Sequence, residues 1–227
     1  METALIIGAS RGLGHAITTE LAGRGRHVIG TVRDPAARTP LHDLADASDG
    51  RVEVEHLDIT EPAQLPPLRE RLAGRRLDLL FVNAGTTNNP ATPIGEVSTA
   101  DFVDVMVTNA LSPMRVIEAL AHLVPADGLI GAMSSGQGSI TNNTAGSREV
   151  YRGSKAALNM LMRGFAARQA DRALLLMAPG WIRTALGGDQ APFTLEETVP
   201  LIVDVLLAKL GKPGLEFLDR EGKTVPW

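Results

Sequence analysis

Short apolar runs and longer amphipathic stretches alternate along the whole chain. Residues 3–8 (TALIIG), 27–32 (HVIGTV), 77–82 (LDLLFV), 128–133 (GLIGAM) and 173–177 (ALLLM) are apolar segments of strand length. Residues 51–57 (RVEVEHL) alternate apolar and polar positions, and residues 215–218 form a last short strand. Between the strands, helical spacing predicts a helix through Ala16, Ile17, Leu21 and Ala22, ending at Gly23-Arg24-Gly25. A weak helical stretch follows at 41–47, and Thr60-Glu61-Pro62 opens a helix over 65–72. Ser98 reads as the cap of a helix carrying Phe102, Val103, Val105 and Met106. Further helices are expected at 110–124, 150–169 and 195–210, with polar loops at 86–93, 136–149 and 186–194. Strands that alternate with helices imply a parallel sheet. The expected architecture is a single doubly wound, Rossmann-type α/β domain over residues 1–227. It has about seven mainly parallel strands and three helices on each face, without repeat or linker.

Composition narrows the functional classes. Hydrophobic residues at 44% and charged residues at 21% are ordinary for a packed domain. A net charge of −4 with no basic block argues against nucleic acid as a partner. The chain has no cysteine, which excludes disulfides, thiolate metal sites and a cysteine nucleophile, and its five histidines lack ligand-like spacing. No apolar run is long enough for a bilayer, and the N-terminus is acidic, so the expected location is the cytoplasm, away from membranes.

Two stretches carry candidate chemistry. Gly8-Ala9-Ser10-Arg11-Gly12-Leu13-Gly14 lies between the first strand and the first helix, the context that a dinucleotide-binding turn requires. Gly8 permits a tight turn, Gly12 and Gly14 permit close backbone approach, and the helix N-terminus presents free amides to a pyrophosphate. The other stretch is residues 133–155, where Tyr151 and Lys155 share a helix face four residues apart. An ammonium beside a phenol favours the phenolate and is expected to lower its pKa from about 10. Arg33 follows the second strand and Arg11 sits in the glycine loop, and two guanidinium groups there suit a phosphate. Asp34, one residue later, keeps a 2′-hydroxyl ligand in play.

The GxxxGxG spacing together with Tyr151 and Lys155 resembles the short-chain dehydrogenase/reductase family, and the likeness continues down the chain. Asn83-Ala84-Gly85 resembles the family's NAG motif, Asn109 its helix-distorting asparagine, and Pro179-Gly180-Trp181-Ile182-Arg183-Thr184 its PG-x-x-x-T turn. The wide serine-to-tyrosine gap, YRGSKAALNM and the GKTVPW ending are most similar to the C-factor and sniffer-type carbonyl reductases.

The resemblance implies an oxidoreductase that interconverts a small-molecule carbonyl and an alcohol, using NADPH or NADP+ in preference to NADH or NAD+. That preference rests on Val32, which stands where NAD-type members carry an acid, followed by Arg33. Tyr151 would be the general acid/base, and Ser135 an oxyanion donor. Lys155 would lower the tyrosine pKa and hold a ribose, and Asn109 would hold a water. Implied cofactor contacts are Gly8, Ser10, Arg11, Gly12, Leu13, Gly14, Arg33, Asp58, Ile59, Asn83, Ala84, Gly85, Asn109, Tyr151, Lys155, Pro179, Gly180, Ile182 and Thr184. Asp58 also reads as a cap for the helix after it. Ser134 and Ser139 compete with Ser135 for the catalytic serine; the end of the fifth strand favours Ser135, because alternation turns Ser134 to the other face. A cofactor-binding signalling protein on the same fold is the second reading, and the resemblance leaves homodimer, homotetramer and monomer open.

Overall fold

The computed structural model describes residues 2–144 and 146–227. Its seven strands are β1 (Thr3–Ile7), β2 (His27–Val32), β3 (Val52–His56), β4 (Leu79–Val82), β5 (Leu129–Met133), β6 (Ala173–Ala178) and β7 (Gly214–Asp219). They form one sheet in the order β3-β2-β1-β4-β5-β6-β7, and every neighbouring pair is parallel. The helices are α1 (Gly12–Gly23), α2 (Pro40–Asp46), α3 (Leu65–Arg71), α4 (Thr99–Met106), α5 (Ser112–Leu120), α6 (Glu149–Ala167) and α7 (Leu195–Lys209). This is the doubly wound arrangement expected from the alternation of patterns. The order of strands reverses direction between β1 and β4, and ligands of such sheets bind at the carboxyl ends there.

Position in the sheet explains the two kinds of strand pattern. Every residue of the interior strands β4, β5 and β6 is buried, because helices cover both faces. The edge strand β3 is half-buried beyond Val52, and the edge strand β7 mixes exposed and buried positions. Within β1, Leu5 and Ile7 face one core and Ala4 and Ile6 the other. The first core gathers Leu65 and Leu68 of α3, Ile117 of α5, and Leu158, Met162 and Phe165 of α6. The second gathers Ile17 and Leu21 of α1, Leu41 of α2, and Ile202 and Val203 of α7. Helix α4 is the addition to three per face: it buries Val105 but leaves Phe102 and Val103 exposed. Ser98 caps it as the sequence predicts, accepting a hydrogen bond from the Asp101 amide at 3.0 Å.

Residues 60–62 open a single 3₁₀ turn (Pro62–Gln64) before α3 rather than a continuous helix. Among the described residues, no helix is long and apolar enough to cross a membrane.

Candidate active site

The glycine-rich turn is built by contact as well as by conformation. Gly8 has φ +85°, and a Cβ there would lie 2.8 Å from the Cβ of Ala84. A Cβ on Gly14 would lie 2.0 Å from the Gly8 carbonyl oxygen, so α1 seats directly on the turn with no room for a side chain. The Gly8 amide donates to Thr31 Oγ1 at 2.9 Å, and Asn83 Nδ2 donates to the Gly8 carbonyl at 3.0 Å. Asn83 therefore ties the end of β4 to the turn after β1. The first turn of α1 has no side-chain cap and leaves its amides open to a ligand.

Arg11 and Arg33 are both exposed at this edge. Arg24, Arg71 and Arg75 pair with Asp204, Glu55 and Glu53, whereas among the described residues Arg11 and Arg33 take no carboxylate partner. Asp34 instead turns its Oδ1 to the Ala36 amide at 2.9 Å. Asp58 uses one carboxylate oxygen on Thr60, accepting from its amide at 2.9 Å and its hydroxyl at 2.6 Å. Asp58 thus closes a local turn and does not cap a helix as weighed from the sequence, because the 3₁₀ turn after it starts at Pro62, with Glu61 in the cap position. Ile59 beside it is buried.

The polar centre forms where β4, β5 and α6 meet. Between α4 and α5 the chain widens into a π-turn, Val107–Leu111, which turns the fully buried Asn109 inward. Asn109 Oδ1 accepts from the Thr86 amide at 2.8 Å. Its Nδ2 donates to the Thr86 carbonyl and to Ser154 Oγ, each at 2.9 Å. The amide thus joins the loop after β4 to the catalytic-helix candidate α6. Ser154 Oγ in turn donates a hydrogen bond to the Tyr151 carbonyl at 2.7 Å.

Tyr151 and Lys155 lie on the buried face of α6, with the ammonium 5.9 Å from the phenol ring centroid. Lys155 Nζ donates to the Met133 carbonyl at the end of β5, at 2.8 Å. Burial lowers its pKa to about 8. The expected effect on the tyrosine is not seen. Burial raises the Tyr151 pKa, and the groups that pull it down are the Ser135 hydroxyl and the Arg148 guanidinium, not Lys155. The physical reason is solvation: both side chains are dry, and a dry ammonium is itself driven toward its neutral form.

The three serines separate cleanly. Ser135 stands near Tyr151, where its hydroxyl pulls the phenol pKa down, and its Oγ accepts from the Gln137 amide at 3.1 Å. Ser134 is buried and donates to Asn159 Oδ1 at 2.6 Å, behind the strand end. Ser139 is buried and donates to the Trp227 carbonyl at 3.3 Å.

In the Pro179–Gly180 turn, Ile182 is buried, and Thr184 Oγ1 accepts from the Gly187 amide at 3.0 Å. The Thr184 hydroxyl therefore closes the loop after β6 on itself. The Trp181 indole donates to the Gly187 carbonyl at 2.7 Å and Arg183 Nε to the Ala191 carbonyl at 2.7 Å, which folds residues 186–194 back on the turn.

Sequence reasoning missed Ser154 and Arg148. Ser154 lies three residues after Tyr151 on α6, where i, i+3 spacing was the available signal, whereas Arg148 precedes the helix in a left-handed conformation that no spacing announces.

Known proteins resemble this chain in sequence and in fold. Residues 2–193 match the family profile of short chain dehydrogenases. A short-chain dehydrogenase/reductase of Burkholderia multivorans, solved with bound NADP, is 62% identical, covers 100% of this chain and 99% of its own, and superposes with a TM-score of 0.97. A carbonyl reductase of Pseudomonas aeruginosa PAO1 in complex with NADP is 32% identical over 100% of both chains, with a TM-score of 0.92. The C-signal protein of Myxococcus xanthus is 32% identical over 66% of this chain and 93% of its own.

Proposed function

Because the chain belongs to the short-chain dehydrogenase family, we propose that it is an NADP(H)-dependent oxidoreductase that interconverts a carbonyl and an alcohol. The observation that carries this reading is the convergence of Tyr151, Ser135, Lys155 and Asn109 at the carboxyl edge of the sheet, next to the glycine turn.

The residues fit a dinucleotide phosphate. Gly8 and Gly14 leave no space for side chains, α1 offers unpaired amides, and Arg11 and Arg33 lack carboxylate partners among the described residues. Arg33 favours a 2′-phosphate, and the NADP bound by the Burkholderia and Pseudomonas relatives supports that choice. Ile182, Pro179 and Gly180 would border the nicotinamide. When bound, the cofactor supplies or accepts the hydride.

The chain's own residues handle the proton. Tyr151, kept neutral by burial, donates its phenolic proton to the oxygen of a carbonyl undergoing reduction and takes it back in the reverse direction. Ser135 donates a second hydrogen bond to that oxygen and holds it in place as charge develops. Lys155 holds a ribose, and the phenolate that remains is stabilised by the Ser135 hydroxyl and the Arg148 guanidinium. Asn109 fixes the separation of the Thr86 loop from α6.

The test is turnover of NADPH with a panel of aldehydes and ketones, in the wild type and in Tyr151→Phe. The variant should bind NADPH normally and lose roughly 10²–10⁴-fold in kcat. An unchanged rate would overturn the mechanism. The likeness to C-signal favours a second reading, a cofactor-binding signalling protein, and a wild type that binds NADPH but reduces nothing would support it.

A further inference from the structure

Arg148 stands immediately before α6 in an unusual backbone. Gly146, Ser147 and Arg148 all have positive φ, at 64°, 59° and 53°. Two consecutive residues with side chains in the left-handed region are rare and persist only where surrounding contacts hold them. Arg152 supplies one such contact, its Nε donating to the Ser147 carbonyl at 2.8 Å. The result is that the Arg148 guanidinium lies over the Tyr151 ring, with Cζ 5.0 Å from the centroid. Its Nε is buried without a hydrogen-bond partner. Among the described residues no carboxylate pairs with it, although Glu149 is its neighbour in sequence. Lys155, the other cation at this ring, is already committed to the Met133 carbonyl.

A buried donor without an acceptor is costly, and a guanidinium presents a planar fork of donors that matches an oxyacid. We propose that Arg148 selects carbonyl substrates that carry an anionic oxyacid group, a carboxylate or a phosphate, placed to meet the guanidinium while the carbonyl meets Tyr151. This inference rests on the reading of Tyr151 as the group that faces the carbonyl oxygen. It adds to that reading the chemical class of the substrate. Because the guanidinium stacks on the same ring that carries the reactive phenol, the anionic group must lie only a few atoms from the carbonyl. The charge that draws in the substrate also pulls down the Tyr151 pKa, so one side chain serves recognition and proton transfer together.

The experiment compares matched aldehydes bound to the NADP+ form of the protein by calorimetry: 4-carboxybenzaldehyde, 4-formylphenyl phosphate and the neutral methyl 4-formylbenzoate. The wild type should bind at least one anionic aldehyde about 10-fold or more tightly than the ester, the size of one charge-assisted contact. The stronger of the two anionic arms identifies carboxylate or phosphate. Arg148→Gly relaxes the left-handed residue, so the fold survives, and it should abolish the preference. Arg148→Lys should keep part of it. Equal binding of anionic and neutral aldehydes by the wild type, no binding of any, or a preference that survives in Arg148→Gly overturns the inference. Reduction of the same aldehydes by NADPH is scored separately: an anion preference without any turnover counts against the oxidoreductase reading rather than against Arg148 as the anion contact.

Discussion

With its ammonium buried and bonded to one carbonyl, Lys155 has a pKa of about 8 in the folded chain, against 10.5 in water. Between those values the unfolded chain binds the extra proton, so stability rises with pH across that window. The gain is roughly 3 kcal/mol when complete, at about 1.4 kcal/mol per unit. Tyr151 acts in the opposite sense at higher pH. Its pKa is raised, so its share of stability is present below 10 and is lost as pH climbs above that value. Urea unfolding should therefore show midpoints that rise from about pH 8 toward 10, and a Lys155→Met variant should be flat there. A flat wild type would mean that the ammonium is solvated. A second expectation at this scale concerns the serines. Ser135→Ala should cut kcat by about 10²-fold, as the loss of one oxyanion donor does. Ser139→Ala should change kcat little, because its hydroxyl is spent on the Trp227 carbonyl. Steady-state kinetics of the pair decides it, and the reverse ranking would move the catalytic serine to the 3₁₀ turn Gly136–Gly138 and its exit.

Among the elements, the turn between β1 and α1 and the end of β2 act together on cofactor choice. Arg33→Ala should weaken NADPH binding by about 1.5–3 kcal/mol and leave NADH nearly unaffected, the loss expected of one charged hydrogen bond. Fluorescence titration with both cofactors checks this, and equal wild-type affinities would point to Asp34 as a ribose ligand. The interior strands β4, β5 and β6 were legible from their apolar runs, because helices cover both faces, and the edge strand β3 from its alternation. The start of α4 was legible through its cap, Ser98. What the sequence did not reveal is tertiary in origin. The left-handed run before α6 gave no signal beyond Gly146, so the placement of Arg148 on the Tyr151 ring was invisible. The effect of Lys155 on Tyr151 was misread because spacing on a helix says nothing about how dry both groups become. Thr184 turned back on its own loop for a similar reason: residues 186–194 fold against the Pro179–Gly180 turn through contacts between residues several positions apart.

At the scale of the whole molecule, the tail after β7 links the far edge of the sheet to the loop that follows Ser135. The Trp227 ring packs 5.4 Å from Phe217 and under Arg163, and its carbonyl accepts from the Thr141 amide at 3.0 Å. Trp227→Ala should cost about 2 kcal/mol, less than the 3–5 kcal/mol of a fully buried ring. The Thr141 amide should then exchange with solvent faster, which hydrogen exchange measures directly; unchanged protection at Thr141 would uncouple the tail from the loop. The same tail bears on the chain's behaviour in crowded solution. A bare strand edge is a template on which another chain can pair. Here Thr224 bridges Leu218 and the Val225 amide donates to the Phe217 carbonyl at 2.8 Å, so the outer side of β7 is partly occupied. The opposite edge, β3, carries Glu53 and Glu55, held by Arg75 and Arg71. One edge is partly covered by the chain's own backbone and the other guarded by fixed charge, so both flanks of the sheet are poorer templates for growing, copy by copy, into an aggregate.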